Sequence, residues 1–303
     1  MVTKAQVISD FKRNKYVYLM VLPVMAYYLI FHYGPMYGAI IAFKDFNAVA
    51  GILKSPWVGF DNFISFFSSV YFYRLIKNTI LLSIFNILWG FPAPIILALL
   101  LNEVRNLYFK RYIQTITYLP HFISLVVVCG IIIDFTSTRG VINDLIEFFG
   151  GKRLNMLMMP GMFRSLYIGS GIWQEVGWGS IIYLAAIAGI DQELYEAAII
   201  DGAGRWRQVF HITLPGIAPT IVILLILRLG GMMSVGFEKV ILLYNPTTME
   251  TADIISTYVY RRGLLDSDYS FSAAVGLFNS VINFILLVLA NRISRKASET
   301  SLW

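Results

Sequence analysis

Six stretches of this chain are apolar for long enough to cross a lipid bilayer, and polar or charged positions separate them. A helix needs roughly 20 apolar residues to span the hydrocarbon. The candidate spans cover about residues 17–33 (with an extension towards 43), 79–101, 114–133, 166–189, 218–236 and 271–290. The pattern predicts an all-α, polytopic membrane helix bundle of about six transmembrane helices, forming a single membrane-spanning domain over residues 1–303. The connecting segments 44–78, 135–165 and 237–270 are not plain linkers. The first of them carries Trp57, Phe60, Phe63, Phe66 and Phe67, more aromatic surface than a disordered segment holds. Short interfacial helices capping the bundle are expected there. Lys12, Arg13 and Lys15 precede the first apolar stretch as in a secretory signal. No small-residue cleavage site ends it, and Gly34-Pro35 and Phe43-Lys44 follow, so it reads as a retained first helix. No internal repeat and no low-complexity tract interrupts the series.

Composition agrees with a lipid-solvated chain. Of the 303 residues, 57% are hydrophobic and only 14% charged, against about a quarter charged in soluble domains. The net charge of +6 does not mark a nucleic-acid binder, because the basic residues sit at helix ends instead of forming one patch. Six spans place both termini on one side. That side (the N-terminus, 102–111, 190–217 and the C-terminus) carries 12 Lys and Arg in about 67 positions; the opposite side carries 11 in about 100. Short, densely basic loops govern orientation. Both termini and the 190–217 loop are therefore expected in the cytoplasm of a bacterial cell, with 44–78, 135–165 and 237–270 outside. Cys129 is alone in an apolar run, so there is neither a disulfide framework nor a cysteine metal site. His32, His121 and His211 are scattered and give no metal-ligand spacing.

The 190–217 segment is the exception to the pattern: a polar, helix-forming island between two apolar spans. Residues 191–211 hold four acids, two arginines and a histidine. Asp191 suits an N-cap, and the acids that follow lie where the helix dipole favours them. Leu194, Ala197 and Ala198 share one face. Gly202 and Gly204 permit a sharp turn, a second short helix over about Arg205–Thr213 follows, and Pro215 ends the loop just before the fifth span. A helix–turn–helix with small residues on its face suits close approach by another backbone. The plain alternative is an amphipathic helix lying on the membrane surface.

The spacing in Glu196-Ala197-Ala198-Ile199-Ile200-Asp201-Gly202-Ala203, followed by Ile212-Thr213-Leu214-Pro215, resembles the E-A-A loop of importer permeases of the ATP-binding-cassette (ABC) class. The resemblance extends over essentially the whole chain. Trp57-Val58-Gly59-Phe60-Asp61-Asn62-Phe63 and Tyr118-Leu119-Pro120 are similar to elements of the maltose-type sugar permeases. Gly34-Pro35-Met36-Tyr37-Gly38, Ala42–Phe46, Val235–Val240, Leu243–Pro246 and the ending Ile293–Lys296 with Glu299–Trp303 resemble the LplB-like branch for polysaccharides and complex oligosaccharides. This resemblance implies the type I ABC importer permease fold, a second homologous permease subunit, two copies of a cytoplasmic ATP-binding subunit, and an extracytoplasmic sugar-binding lipoprotein that delivers an oligosaccharide. It assigns Glu196, Ala197, Ala198, Asp201, Gly202, Leu214 and Pro215 to docking on the ATP-binding subunit. The chain lacks G-x-x-x-x-G-K-[ST]; the nearest stretch, Gly150-Gly151-Lys152-Arg153, has neither the spacing nor the hydroxyl. ATP and Mg are thus expected on the partner subunit, with no cofactor and no catalytic group here.

Polar side chains inside spans are expensive and usually functional. The candidates for a saccharide path are Trp173, Glu175 and Trp178 in the fourth span, Arg228 in the fifth, Asn279 and Asn283 in the sixth, and Asn86 and Trp89 in the second. Planar aromatic faces beside amides and charges suit a sugar. Glu175 and Arg228 equally suit an ion pair with each other, or contact with the partner permease. Asp266 and Asp268 suit a solvated loop or contact with the binding protein. The competing functional class is a secondary, ion-coupled sugar transporter, for which inverted halves and intramembrane proton relays are expected. A membrane enzyme is a third class, and the chain shows no catalytic constellation for it.

Overall fold

The computed structural model describes residues 13–298 and 301–302. Lys4 and Lys12 of the basic N-terminus, and Glu299, Thr300 and Trp303 of the ending, lie outside the described residues. Apart from an isolated antiparallel bridge between Lys44 and Trp57, every regular element described is helical. The principal helices are α1 (Lys15–Phe43), α2 (Phe72–Glu103), α3 (Leu107–Tyr118), α4 (Leu125–Thr136), α5 (Val141–Phe148), α6 (Pro160–Ala188), α7 (Gln192–Ile200), α8 (Arg205–Gly230), α9 (Phe237–Leu243), α10 (Ile255–Tyr260) and α11 (Tyr269–Ser298). Five segments are long and apolar enough to cross a membrane: α1, α2, α4 with α5, α8 and α11. The remaining expected span is α6. At 29 residues it is long enough, roughly 43 Å at about 1.5 Å per residue. Arg164, Gln174, Glu175 and several glycines lower its hydropathy.

Two expected spans differ in the structure. The stretch 114–133 is not one helix: α3 ends at Tyr118, Leu119–Phe122 form a 3-10 turn, and α4 restarts at Leu125. Pro120 supplies no N–H and disfavours helical geometry in the residue before it. Ser124 caps the restart, accepting from Val127 N–H at 3.4 Å. The fifth span does not run over 218–236. It begins at Arg205 and stops at Gly230-Gly231, leaving 231–236 non-helical. Pro215 therefore does not end the preceding loop. A π-turn over Val209–Thr213, closed by Leu214 N–H on Val209 O, absorbs the missing proline donor, and the helix continues.

The chain divides into two compact units, one made of residues up to Phe67 together with Arg262–Leu277, the other of Ser68–Arg261 and the residues from Phe278 onward. In the first unit the 44–67 segment forms short helices at Gly51–Lys54 and Asp61–Phe67. Lys44 is buried; its ammonium donates to Ile52 O at 2.6 Å and Leu53 O at 3.2 Å and lies 4.9 Å from the Trp57 ring. Gly59 takes a positive φ of 63°, and Asn62 donates to Ala42 O and Lys44 O. The V-G-x-D-N-F segment is thus a fold-stabilising corner. Arg262 is ion-paired with both Asp266 and Asp268, and Asp268 accepts from Phe271 N–H at the start of α11.

Apolar cores among the described residues hold the second unit together. One gathers Leu82, Val128, Ile132, Phe163, Tyr167 and Val240; another gathers Ile95, Ala98, Tyr183, Ile187 and Ile217. Helix α6 runs past both and contacts α2, α3 and α8. Its approach to α3 is backbone-close, since a Cβ on Gly177 would lie 2.0 Å from Thr117 O. Near the start of α2, fully buried Asp253 pairs with Arg74 at 3.2 Å and Arg261 at 2.7 Å, while Asn78 donates to Asp253 O and accepts from Arg164. A buried carboxylate so surrounded fixes several elements at once.

Candidate functional site

Two features of the second unit carry the candidate residues: the helix α7 with its turn, and a polar cavity between α2, α6, α8 and α9. Helix α7 is capped by the Asp191 carboxylate, which accepts from Glu193 N–H at 3.0 Å. It ends in a Schellman arrangement: Ala203 N–H donates to Ala198 O at 2.8 Å and Gly202 N–H to Ile199 O at 3.0 Å, with Gly202 at a φ of 73°. Gly204 has a φ of −69° and serves as the N-cap of α8; only Gly202 needs glycine for its conformation. The frame is held by Tyr195 OH bonded to Thr213 Oγ1 at 3.0 Å, by Gln208 Nε2 donating to Ala203 O, and by Ile190 packed against Gly216. Yet α7 buries none of its residues, and Ile199 and Ile200 are 63% and 86% exposed. Glu196 and Asp201 are exposed and form no ion pair among the described residues. Leu214 packs on the core beside Ile217, while Pro215 is exposed.

The cavity, of about 360 Å3, is lined by Asn86, Tyr167, Gln174, Glu175, Arg228 and Lys239 among others. Asn86 reaches it because α2 widens into a π-turn over Asn86–Gly90, with Phe91 N–H bonded to Asn86 O at 3.1 Å. Pro92 and Pro94, which follow, supply no amide donors to the preceding turn. Gly90 leaves the Asn86 side chain its place: a Cβ would lie 2.6 Å from Asn86 Oδ1 and displace it. That oxygen accepts from Arg228 Nη2 at 2.7 Å. The non-helical 231–236 segment forms another wall. Its backbone polar groups are met by side chains: Ser83 Oγ donates to Met232 O, and Asn283 accepts from Met233 N–H and donates to Ser234 Oγ. Irregular backbone at membrane depth is tolerated where it is buried in protein or lines a cavity.

The expected path residues are sorted by this geometry. Asn86, Glu175 and Arg228 share the cavity. Glu175 and Arg228 form no ion pair among the described residues; Glu175 pairs with His121 Nδ1 at 2.9 Å, and Arg228 bonds Asn86. Trp178 stacks on the His121 ring at 4.5 Å and 3° and is not among the lining residues. Trp173 and Trp89 line two separate, mostly apolar pockets. Asn283 braces backbone, and Asn279 Oδ1 is buried without a hydrogen-bond partner among the described residues. Lys239 and Tyr167 were not expected at the site. Lys239 sits in a stretch read as a connecting loop, and the Gly230-Gly231 pair that ends α8 is the signal that brings it to the cavity. Among the described residues no group of three or more His, Cys, Asp or Glu is placed to hold a metal ion.

With this geometry in view, comparison with known proteins is specific. Residues 90–299 match the family model for the binding-protein-dependent transport system inner membrane component. Protein LplB of Bacillus subtilis (strain 168) is 50% identical over 293 residues, covering 96% of this chain and 92% of that protein. The polygalacturonan/rhamnogalacturonan transport system permease protein YteP of the same organism is 50% identical over 292 residues, covering 96% and 91%. A crystal structure of a bacterial ABC transporter involved in the import of the acidic polysaccharide alginate superposes with a TM-score of 0.90 at 47% identity, covering 97% of this chain and 99% of that one. A crystal structure of a bacterial alginate ABC transporter in complex with alginate pentasaccharide-bound periplasmic protein matches equally, with a TM-score of 0.90 at 47% identity, covering 97% of this chain and 99% of that one.

Proposed function

The chain belongs to the inner membrane components of binding-protein-dependent transport systems, and on that premise we propose that it forms one half of a heterodimeric permease. In this reading two copies of a cytoplasmic ATP-binding subunit drive it, and an extracytoplasmic sugar-binding lipoprotein feeds it. The chain is a multi-pass inner-membrane permease subunit of the sugar ABC importers, and is itself non-catalytic. Its relatives lend no support to the ion-coupled alternative. Two of them serve polygalacturonan or rhamnogalacturonan and alginate, which favours complex oligosaccharides or polysaccharide fragments as cargo.

The observation that carries the mechanism is the contrast in the 190–217 segment, a rigidly framed helix with no buried residue. A braced yet uncovered helix is suited to seating in a cleft of another protein and transmitting its movement. Glu196, Ala197, Ala198, Asp201, Gly202, Leu214 and Pro215 form this coupling element, and it faces the cytoplasm with both termini. ATP-driven closure of the motor pair moves α7 and, through the continuous helix α8, Arg228 at the cavity. The bundle opens outward to accept sugar from the binding protein; hydrolysis resets it. Arg228 and Glu175 are exposed in the single chain, and charges facing lipid are costly. This supports a second permease closing the cavity, with Asn86, Glu175 and Arg228 on the sugar path. α1, which has no buried residue in its most apolar window, likewise has faces for lipid or the partner.

Co-purification tests this reading. The tagged chain should bring down an ATP-binding subunit, and Glu196→Lys should weaken that association or uncouple hydrolysis from uptake. An unchanged association and unchanged uptake in Glu196→Lys would remove Glu196 from the docking surface.

A further inference from the structure

Lys239 is the most buried of the charged groups on the cavity, at 7% exposure. An ammonium has three donors, and among the described residues Lys239 Nζ has one acceptor, Tyr167 O at 3.1 Å, with the Tyr167 ring 5.2 Å away. Gly171 of α6 also lines the cavity, and a Cβ there would come into ordinary contact with Nζ at 3.5 Å. Arg228 shares the cavity and spends one donor on Asn86. Glu175, the cavity's carboxylate, has Oε2 engaged by His121.

The lining therefore presents two cations with spare donors and one acid already partnered. A core lysine that serves packing alone is satisfied by carbonyls on its inner side. Here two of the three donors have no acceptor among the described residues, and Lys239 lines the cavity. Burying a charge is costly unless it is paired and hydrogen-bonded. Glu175 offsets part of this positive charge; a neutral sugar offers hydroxyls and leaves the excess uncompensated, whereas a carboxylate supplies acceptor oxygens and the missing negative charge. Arg228 accommodates a planar carboxylate, and Lys239 acts as a point charge beside it.

We propose that Lys239, with Arg228, recognises the carboxylate of a uronate-bearing oligosaccharide, so that the cavity selects acidic over neutral cargo. The inference rests on the permease reading above, in which this cavity lies on the sugar path.

The test uses the intact complex of both permeases and the ATP-binding subunits in lipid nanodiscs, without the binding protein, so that only the cavity discriminates. Equilibrium binding is measured for trigalacturonate and for an alginate trisaccharide, each as free acid and as methyl ester. The wild-type complex should prefer acid over ester by about tenfold or more, the scale of a charge-assisted hydrogen bond. Lys239→Gln should bring that ratio close to unity, and Lys239→Arg should restore most of it. Should Lys239→Gln fail to assemble, Arg228→Gln is read by the same ratio and should lower it. Equal wild-type binding of acid and ester, or a ratio unmoved by these variants, overturns the charge recognition and leaves the permease reading standing. A wild-type complex that binds none of the four probes removes the cavity from the sugar path, and the inference with it.

Discussion

Gly202 shows how one residue shapes the proposed coupling element. Its φ of 73° closes the Schellman turn that aims α7, and a β-branched side chain there is strained by about 1–3 kcal/mol. Gly202→Val should therefore lower uptake while membrane insertion, followed by protease protection of the termini, stays normal. Glu196 has the opposite character: exposed and without an ion pair among the described residues, it has little to lose in the isolated subunit. Glu196→Lys should leave the melting temperature of the subunit in detergent within about 2 °C, since a surface change is worth about 0.5 kcal/mol or less, and should act only once the ATP-binding subunit is present. Asp253 belongs to stability. Replacing it by Ala leaves Arg74 and Arg261 facing each other in a buried site. Breaking such a pair costs roughly 3 kcal/mol, which thermal unfolding in detergent should register as a clear loss.

At the scale of elements, the hydrophobic pattern made most spans legible, because a run of apolar residues has one stable form in lipid. It did not reveal where helices are interrupted. Pro120 breaks one expected span, Gly230-Gly231 ends another early, and a π-turn lets Pro215 sit inside a continuing helix. Each is a backbone hydrogen-bond effect that hydropathy does not encode. The same interruptions decide the site: the π-turn at Asn86–Gly90 delivers Asn86, and the unwound 231–236 segment delivers Lys239. Asn86, Glu175 and Arg228 were legible because polar groups in apolar runs are conspicuous. Trp89, Trp173 and Trp178 looked equally promising, but aromatic side chains also pack, and their surroundings are not written in their spacing. The α3–α6 contact offers a sharp element-scale prediction. Gly177→Leu forces a side chain against Thr117 backbone, beyond the roughly 1–3 kcal/mol of ordinary overpacking. It should abolish stable expression, whereas Gly161→Leu, where a Cβ meets nothing within 4 Å, should not.

For the whole molecule, the proposed function assigns the exposed charges of the cavity to a second permease and the uncovered face of α7 to an ATP-binding subunit. Expressed without a second permease the chain should accumulate poorly, and co-expression should restore its level in the membrane, as read by quantitative immunoblotting. In the proposed mechanism an external ATPase, acting through α7, drives sugar movement. That mechanism is tested most directly in proteoliposomes holding the complete complex, with a loaded binding protein outside and nucleotide inside. Uptake of labelled oligosaccharide should require hydrolysable ATP and should fall in Glu196→Lys while the complex remains assembled. Uptake sustained by an ion gradient with no ATP, or by a non-hydrolysable analogue over many turnovers, would contradict this mechanism.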